Sequence, residues 1–413
     1  MDSRKALFST VAAESPEAEL LLCCTRSRRD PKKAVRIRAL LQQGIDWGYL
    51  LRAARRHRVM PLLFWQLNST APGAVPKSVL DQLSIYFRHN SFRTLSLTGE
   101  LLRLLSEFET RKIPAIPYKG PTLAAFAYGN LVLREFGDLD ILLRRQDVLK
   151  ARELLVSFGY RPGYQLTRAQ EAAFVQYGDQ YRYTCDDSGN VVEIHWGAAA
   201  RAFSFLLDTE PPWWRLERIS LGGSTVPSFS PEDLLIILCV HGSMHLWERL
   251  GWVCDIAELT YVRREMDWER IVEQATALGT RRALFLGLLL ADGLLGARIP
   301  EEVSQRLQAD SVTNTLAEQV CEWLFREGAR SQELVEETLF QPFHVRVMER
   351  LRDKVRYCVR EATTPSLQDC ELLPLPAYLF PAYRLLRPIR LTGKYGQRLL
   401  YSRRFLRNRL TAL

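Results

Sequence analysis

The chain has 413 residues, 47% apolar and 25% charged, which suits several ordinary folded units and excludes fibrous, mucin-like and broadly disordered classes. Its net charge of +9 is concentrated at the end: residues 343–413 hold 15 Lys+Arg against 5 Asp+Glu, while the other 342 residues hold 41 against 42. A polyanion-binding surface through the body of the protein is therefore disfavoured.

In chain order, apolar residues recur at spacings of three and four in Ala18–Leu22, Val35–Leu41, Trp47–Ala54 and Ile85–Leu105, predicting a helical N-terminal region over 1–106. From Ile113 the pattern changes. Ile113–Tyr118 reads as a short strand, Gly120 as a junction, and Pro121–Tyr128 as a helix broken by Gly129 and Asn130. Asp138–Leu143 reads as a strand with Asp138 and Asp140 on one face and Leu139, Ile141 and Leu143 on the other. Helices are expected over Gln146–Phe158 and Ala169–Val175. Strands over Gln180–Cys185 and Val191–Trp196 flank the turn formers Asp186–Asn190, with Val191, Glu193 and His195 on one face. After Pro231 helical periodicity returns up to about residue 360, including a helix over Leu235–Leu259. The expected class is α+β, mostly helical: a helical region 1–106, an α/β core 107–230 with a small mixed sheet, a helical domain 231–342 and a basic aromatic-rich tail 343–413.

Two aspartates at i and i+2 on a strand form a rigid dicarboxylate, suited to hard divalent cations that also take phosphate oxygens. Glu193, on the matching face of a later strand, is the candidate third carboxylate. Upstream, Lys119 and Gly120 stand at a strand-to-helix junction, where backbone N–H groups can meet an anion.

The order Lys119-Gly120, helix, Arg134-Glu135-Phe136-Gly137-Asp138-Leu139-Asp140, then Glu193 and His195-Trp196 resembles the nucleotidyltransferase fold related to DNA polymerase β. More closely it resembles a bacterial nucleotidyltransferase family found in biosynthetic operons. Ile45-Asp46-Trp47, Ala54, His57, the stretch from His241 to Asp255, and Leu386–Leu391 extend the likeness along most of the chain. The resemblance implies that Asp138, Asp140 and Glu193 hold two Mg²⁺ (or Mn²⁺) ions, with Glu193 also helping to deprotonate an acceptor hydroxyl. It implies that Lys119, Gly120, Thr122 and Arg134 serve a nucleoside triphosphate such as ATP, and that NMP passes to a hydroxyl or phosphate of a small molecule, peptide or protein. One departure stands out: Gly120 is followed by Pro121 and Thr122, and 17 residues separate it from Asp138. Two alternatives stay open, a non-catalytic nucleotide- or partner-binding module and a phosphotransferase using the same site.

His241 and His245, at i and i+4, share a helix face, but no Glu completes an HExxH pattern, so a substrate-pocket wall or a core role is expected over zinc. His195 is placed to orient a carboxylate or the acceptor. Trp196, Trp213, Trp214, Trp247 and Trp252 cluster near the expected cleft, for base stacking or core packing. The tail, from Tyr378 through Arg409, alternates aromatics with arginines. It suits either contact with a polyanion or membrane surface or a strap packed on the body. No P-loop, GxSxG or dinucleotide fingerprint occurs. The longest apolar runs, Leu234–Val240 and Leu284–Ala291, are too short to span a bilayer. Eight scattered cysteines without a CxxC pair suit a reducing, cytoplasmic setting.

Overall fold

The computed structural model describes residues 15–164, 166–196, 213, 215–325 and 341–393. Among these, five helices precede the sheet: α1 (Pro16–Cys24), α2 (Pro31–Leu41), α3 (Trp47–Arg56), α4 (Met60–Thr70) and α5 (Lys77–Thr110). Ser15, Asp30 and Asp46 accept first-turn N–H groups of α1, α2 and α3, satisfying donors that no helical carbonyl can reach.

Strand β1 (Ala115–Pro117), the single turn α6 (Gly120–Leu123), β2 (Asp138–Leu143), α7 (Val148–Ser157), β3 (Tyr160–Pro162), α8 (Arg168–Val175), β4 (Gln180–Cys185) and β5 (Val191–His195) follow. The five strands form one mixed sheet in the order β1-β2-β5-β4-β3. Only β2 and β5 are parallel neighbours, in a register that sets Asp140 opposite Glu193 and Leu142 opposite His195. The turn between β4 and β5 falls on the predicted residues, with Gly189 in the left-handed region at φ 67°. A second hairpin, β6 (Glu217–Leu221) with β7 (Ser224–Ser228), was not expected from sequence. Its strands mix polar and apolar residues too irregularly to show a clear alternation.

Ser230 caps α9 (Pro231–Met244) and Pro231 occupies its first turn. The single helix expected over Leu235–Leu259 is in fact two: α9 ends at Met244 and α10 (Leu250–Val262) begins after a connector in which Leu246 and Trp247 have φ of 55° and 53°. The reason is Trp247, whose indole folds back into the core so closely that a Cβ on Gly242 would lie 2.5 Å from it and one on Gly287 3.0 Å from it. Burying an indole contributes roughly 4–6 kcal/mol at about 25 cal/mol per Å², against roughly 1–2 kcal/mol for each left-handed residue. Packing wins, and the helix breaks.

Beyond α10 come α11 (Trp268–Leu278), α12 (Arg281–Leu295), α13 (Glu301–Ala309), α14 (Ser311–Phe325), α15 (Pro342–Val347), α16 (Leu351–Thr363) and α17 (Leu367–Leu372). The buried apolar side chains form one connected core from Ala18 to Tyr383. Two polar ties cross it. Buried Arg26, after α1, donates to Glu258 of α10 at 2.7 Å. His57, after α3, accepts the Leu250 N–H on Nδ1 at 3.3 Å and the Gly251 N–H on its carbonyl at 3.0 Å. The architecture is a mostly helical α+β fold, and no helix among the described residues is long and apolar enough to cross a membrane.

The described part of the tail lies against the body. Phe380 and Tyr383 are buried, Phe380 stacks on Tyr177 at 5.6 Å, and Arg387 and Arg390 both bind Asp369. Lys394, Tyr395, Arg398, Tyr401, Arg403, Arg404, Phe405, Arg407 and Arg409 lie outside the described residues, as does Trp214.

Gly242→Ala is expected to lower stability by about 1–3 kcal/mol through overpacking against Trp247. The urea midpoint measures it, and an unchanged midpoint would show that the indole has room to move.

Candidate functional site

Asp138 and Asp140 of β2 and Glu193 and His195 of β5 line one cleft of about 500 Å³, walled opposite by His241 and Met244 of α9, His245 just after it, and Trp252 and Asp255 of α10. The parallel register brings the two strands' polar residues to one face.

Asp140 is the most constrained of them, only 6% exposed. Lys119 Nζ lies 2.7 Å and His195 Nε2 3.0 Å from the same oxygen, Oδ1. Burial alone pushes the Asp140 carboxyl up, but the Lys119 charge and the His195 hydrogen bond outweigh it and hold it well below the usual carboxylate range. An ionised carboxylate only accepts, so Nε2 of His195 carries the proton and donates. Glu193 responds oppositely: burial, then the Asp140 charge beside it, raises its proton affinity. Its Oε2 is 3.7 Å from His195 Nε2, and Arg182 lies 3.8 Å from Oε1.

Ligand atoms of Asp140, Glu193 and His195 all fall within 4.8 Å of one another. The two carboxylates at that spacing offer oxygens a divalent cation can use, and the His195 nitrogen joins them only after giving up the proton it donates to Asp140. Asp138 lines the same cleft but stands outside that tight group.

Gly120 is required by its backbone: φ is 53°, and a Cβ would sit 3.3 Å from the Asp138 carbonyl oxygen. The helix expected over Pro121–Tyr128 is shorter than read, since α6 gives way to a π turn over Ala124–Tyr128. That wider turn delivers the Tyr128 hydroxyl to Asp255 Oδ1 at 2.8 Å. Arg134 grips the same carboxylate with two bonds of 2.8 and 2.9 Å, so its guanidinium is committed to Asp255 while it lines the cleft. Thr122 is buried outside the cleft lining, with no hydrogen-bond partner for Oγ1 among the described residues.

The His241 and His245 rings lie 4.6 Å apart, each 5.3–5.4 Å from Trp252. Burial, then the nearby Lys119 charge, lowers both, His245 to about 4, so both are neutral near pH 7. They form an uncharged aromatic wall. Trp196 and Trp247 are buried core residues, and Trp213 stacks with Arg144 at 5.2 Å. Sequence reasoning passed over Arg58, Asp179 and Glu248, which also line the cleft. Adjacency to His57 was the only local signal for Arg58.

Asp255→Asn leaves the buried Arg134 guanidinium facing a neutral amide and is expected to cost about 3 kcal/mol or more, measured by chemical unfolding. Acid sensitivity should follow from His57, which burial lowers to about 3, and from His245, lowered to about 4. Both are neutral in the fold, so their contribution to stability is flat above about pH 7. It falls as pH drops through the unfolded-chain value of about 6.5, by up to about 1.4 kcal/mol per pH unit per group. Unfolding at pH 7 and 5.5 checks this, and His57→Gln should shrink the difference.

Residues 43–296 match the model of a family described as uncharacterised nucleotidyltransferase. The match spans every residue lining the cleft. Neither curated proteins nor solved structures give a match. With well over half of its length matched, and with Asp138, Asp140 and Glu193 on one face of its sheet, the chain belongs to the family of uncharacterised nucleotidyltransferases.

Proposed function

We propose that this nucleotidyltransferase moves NMP from a nucleoside triphosphate to a hydroxyl or phosphate of a small molecule, peptide or protein, and that it requires Mg²⁺ or Mn²⁺. The observation that carries the proposal is the register of β2 and β5, which places Asp140 against Glu193 with Lys119 and His195 on one Asp140 oxygen. Charge supports the metal requirement. Arg58, Lys119, Arg134 and Arg249 face seven carboxylates in the cleft, so a polyphosphate is repelled unless cations accompany it.

A cation held by Asp138, Asp140 and Glu193 would offset charge on the α-phosphate and the departing pyrophosphate and acidify the acceptor hydroxyl. The protein's own groups do the remainder. Glu193, with its raised proton affinity, takes the acceptor proton as the acceptor oxygen bonds to the α-phosphorus and the bond to the bridging oxygen breaks. His195 keeps Asp140 in a single orientation through its Nε2–H. Lys119 neutralises Asp140 and lies within reach of a phosphate. His241, His245 and Trp252 present flat uncharged rings to a planar substrate group.

Titrating the four ribonucleoside triphosphates, as α,β-methylene analogues with Mg²⁺, into wild type and into Asp138→Asn/Asp140→Asn tests this without knowledge of the acceptor. The expected result is metal-dependent binding of at least one analogue that the double variant loses. No binding to wild type, or equal binding by both proteins, would sink the proposal. With an acceptor in hand, either single substitution should lower transfer about 100-fold or more.

A further inference from the structure

Four cationic side chains line the cleft, and they fall into two pairs. Lys119 and Arg134 are committed, to Asp140 at 2.7 Å and to Asp255 at 2.8 Å. Arg58 and Arg249 are held more loosely, Arg249 also lying over the Trp252 ring at 5.2 Å. Their nearest carboxylates, Glu135 and Glu248, stand 3.9 and 3.5 Å away, and neither guanidinium makes a hydrogen bond among the described residues. A guanidinium carries five N–H donors in a fixed fork, and with the Arg58 and Arg249 side chains 39% and 36% exposed an anion can replace the water at those donors.

The backbone aims Arg58 there at a cost. Its φ is +58°, a conformation that residues with a Cβ rarely adopt. It is held by its neighbour: the His57 carbonyl accepts the Gly251 N–H, and a Cβ at position 251 would lie 3.0 Å from that carbonyl oxygen. The first turn of α10 thus fixes Arg58 from one side, directly after the connector residue Arg249. Arg58 also approaches β2. A Cβ built on Gly137 would lie 3.6 Å from Arg58 Nη1 and 3.2 Å from Arg93 Nη2, and Arg93 donates to the Gly137 carbonyl at 3.1 Å. Gly137 directly precedes Asp138, so these guanidiniums meet the chain at the residue before the carboxylate strand. Burial, then repulsion from Arg58, lowers the Arg249 guanidinium below its usual value, although Glu248, Asp138 and Glu135 act the other way.

The geometry points to a phosphate site beside the carboxylates: we propose that Arg58 and Arg249, with Arg93 behind them at Gly137, bind the terminal phosphates of the nucleoside triphosphate and the pyrophosphate that leaves. This rests on the proposed function and extends it, because it separates the cleft into a cation-seeking end at Asp140 and an anion-seeking end at Gly137. Guanidiniums suit the second end because they bind phosphate oxygens in pairs.

Inorganic pyrophosphate is the probe, since it carries no base preference. It is titrated with Mg²⁺ into wild type, Arg58→Gly and Arg249→Ala, alongside the four α,β-methylene triphosphates and the four nucleoside monophosphates. Both variants are expected to bind pyrophosphate and the preferred triphosphate at least 10-fold more weakly and the monophosphate as wild type does. Arg58→Gly relieves the left-handed backbone, so its melting temperature should not fall, and Arg249→Ala gives a second reading if it does. Pyrophosphate affinity unchanged in both variants overturns the inference. Triphosphate binding by a wild type that ignores pyrophosphate also overturns it but leaves the proposed function standing. Arginine-dependent pyrophosphate binding by a protein that takes none of the four triphosphates keeps the phosphate site and removes the proposed function. Binding of neither ligand removes both.

Discussion

The burial of one carboxylate organises this molecule. Asp140 is nearly removed from water, and an isolated ionised group in that position would protonate instead of staying charged. It stays ionised because Lys119, at the end of the segment after β1, and His195, at the end of β5, meet on its Oδ1. Those contacts need β1, β2 and β5 side by side in one register. The same charge raises the proton affinity of Glu193 opposite. Two carboxylates in adjacent strands thereby acquire different proton affinities, one held ionised and one raised.

A second buried carboxylate holds the cleft's other wall in place. Asp255 on α10 takes both bonds of Arg134 and the hydroxyl of Tyr128, tying the loop before β2 and the π turn after Gly120 to α10. Breaking such a pair leaves a charge without a partner, which is why its removal costs more than its formation contributes. His57 performs a similar office for the N-terminal helices, its imidazole and carbonyl both engaged by the start of α10. Elements far apart in sequence therefore converge on α10, just beyond the α9–α10 connector, and residues that look peripheral in the sequence shape the site through it.

That connector is also where local propensity loses. Leu235–Leu259 has the periodicity of one helix, yet Trp247 is worth more buried over Gly242 and Gly287 than a continuous hydrogen-bond ladder would be. Breaking the helix turns Trp252 and Arg249 toward the same cleft as His241 and His245. The long basic tail shows a similar outcome over its described part, where Phe380 and Tyr383 are core and the arginines Arg387 and Arg390 are paired with Asp369.

Much of the site was legible because its signals are local. Alternation with a period of two puts Asp138 with Asp140 and Glu193 with His195 whatever surrounds them, turn formers set the β4–β5 hairpin, and a glycine marks the junction at position 120. Helical spacing likewise identified the helical regions and the shared face of His241 and His245. What the chain could not disclose residue by residue is pairing across space. That Asp140 faces Glu193 and not another residue depends on strand register. That Arg134 belongs to Asp255 depends on the packing of α10 beside the loop before β2. That Arg58 enters the cleft depends on a left-handed backbone which Gly251 permits from nearly 200 positions away. Local patterns are determined by the stereochemistry of neighbouring residues; these contacts are determined by which surfaces the core brings together, and only the tertiary structure decides that.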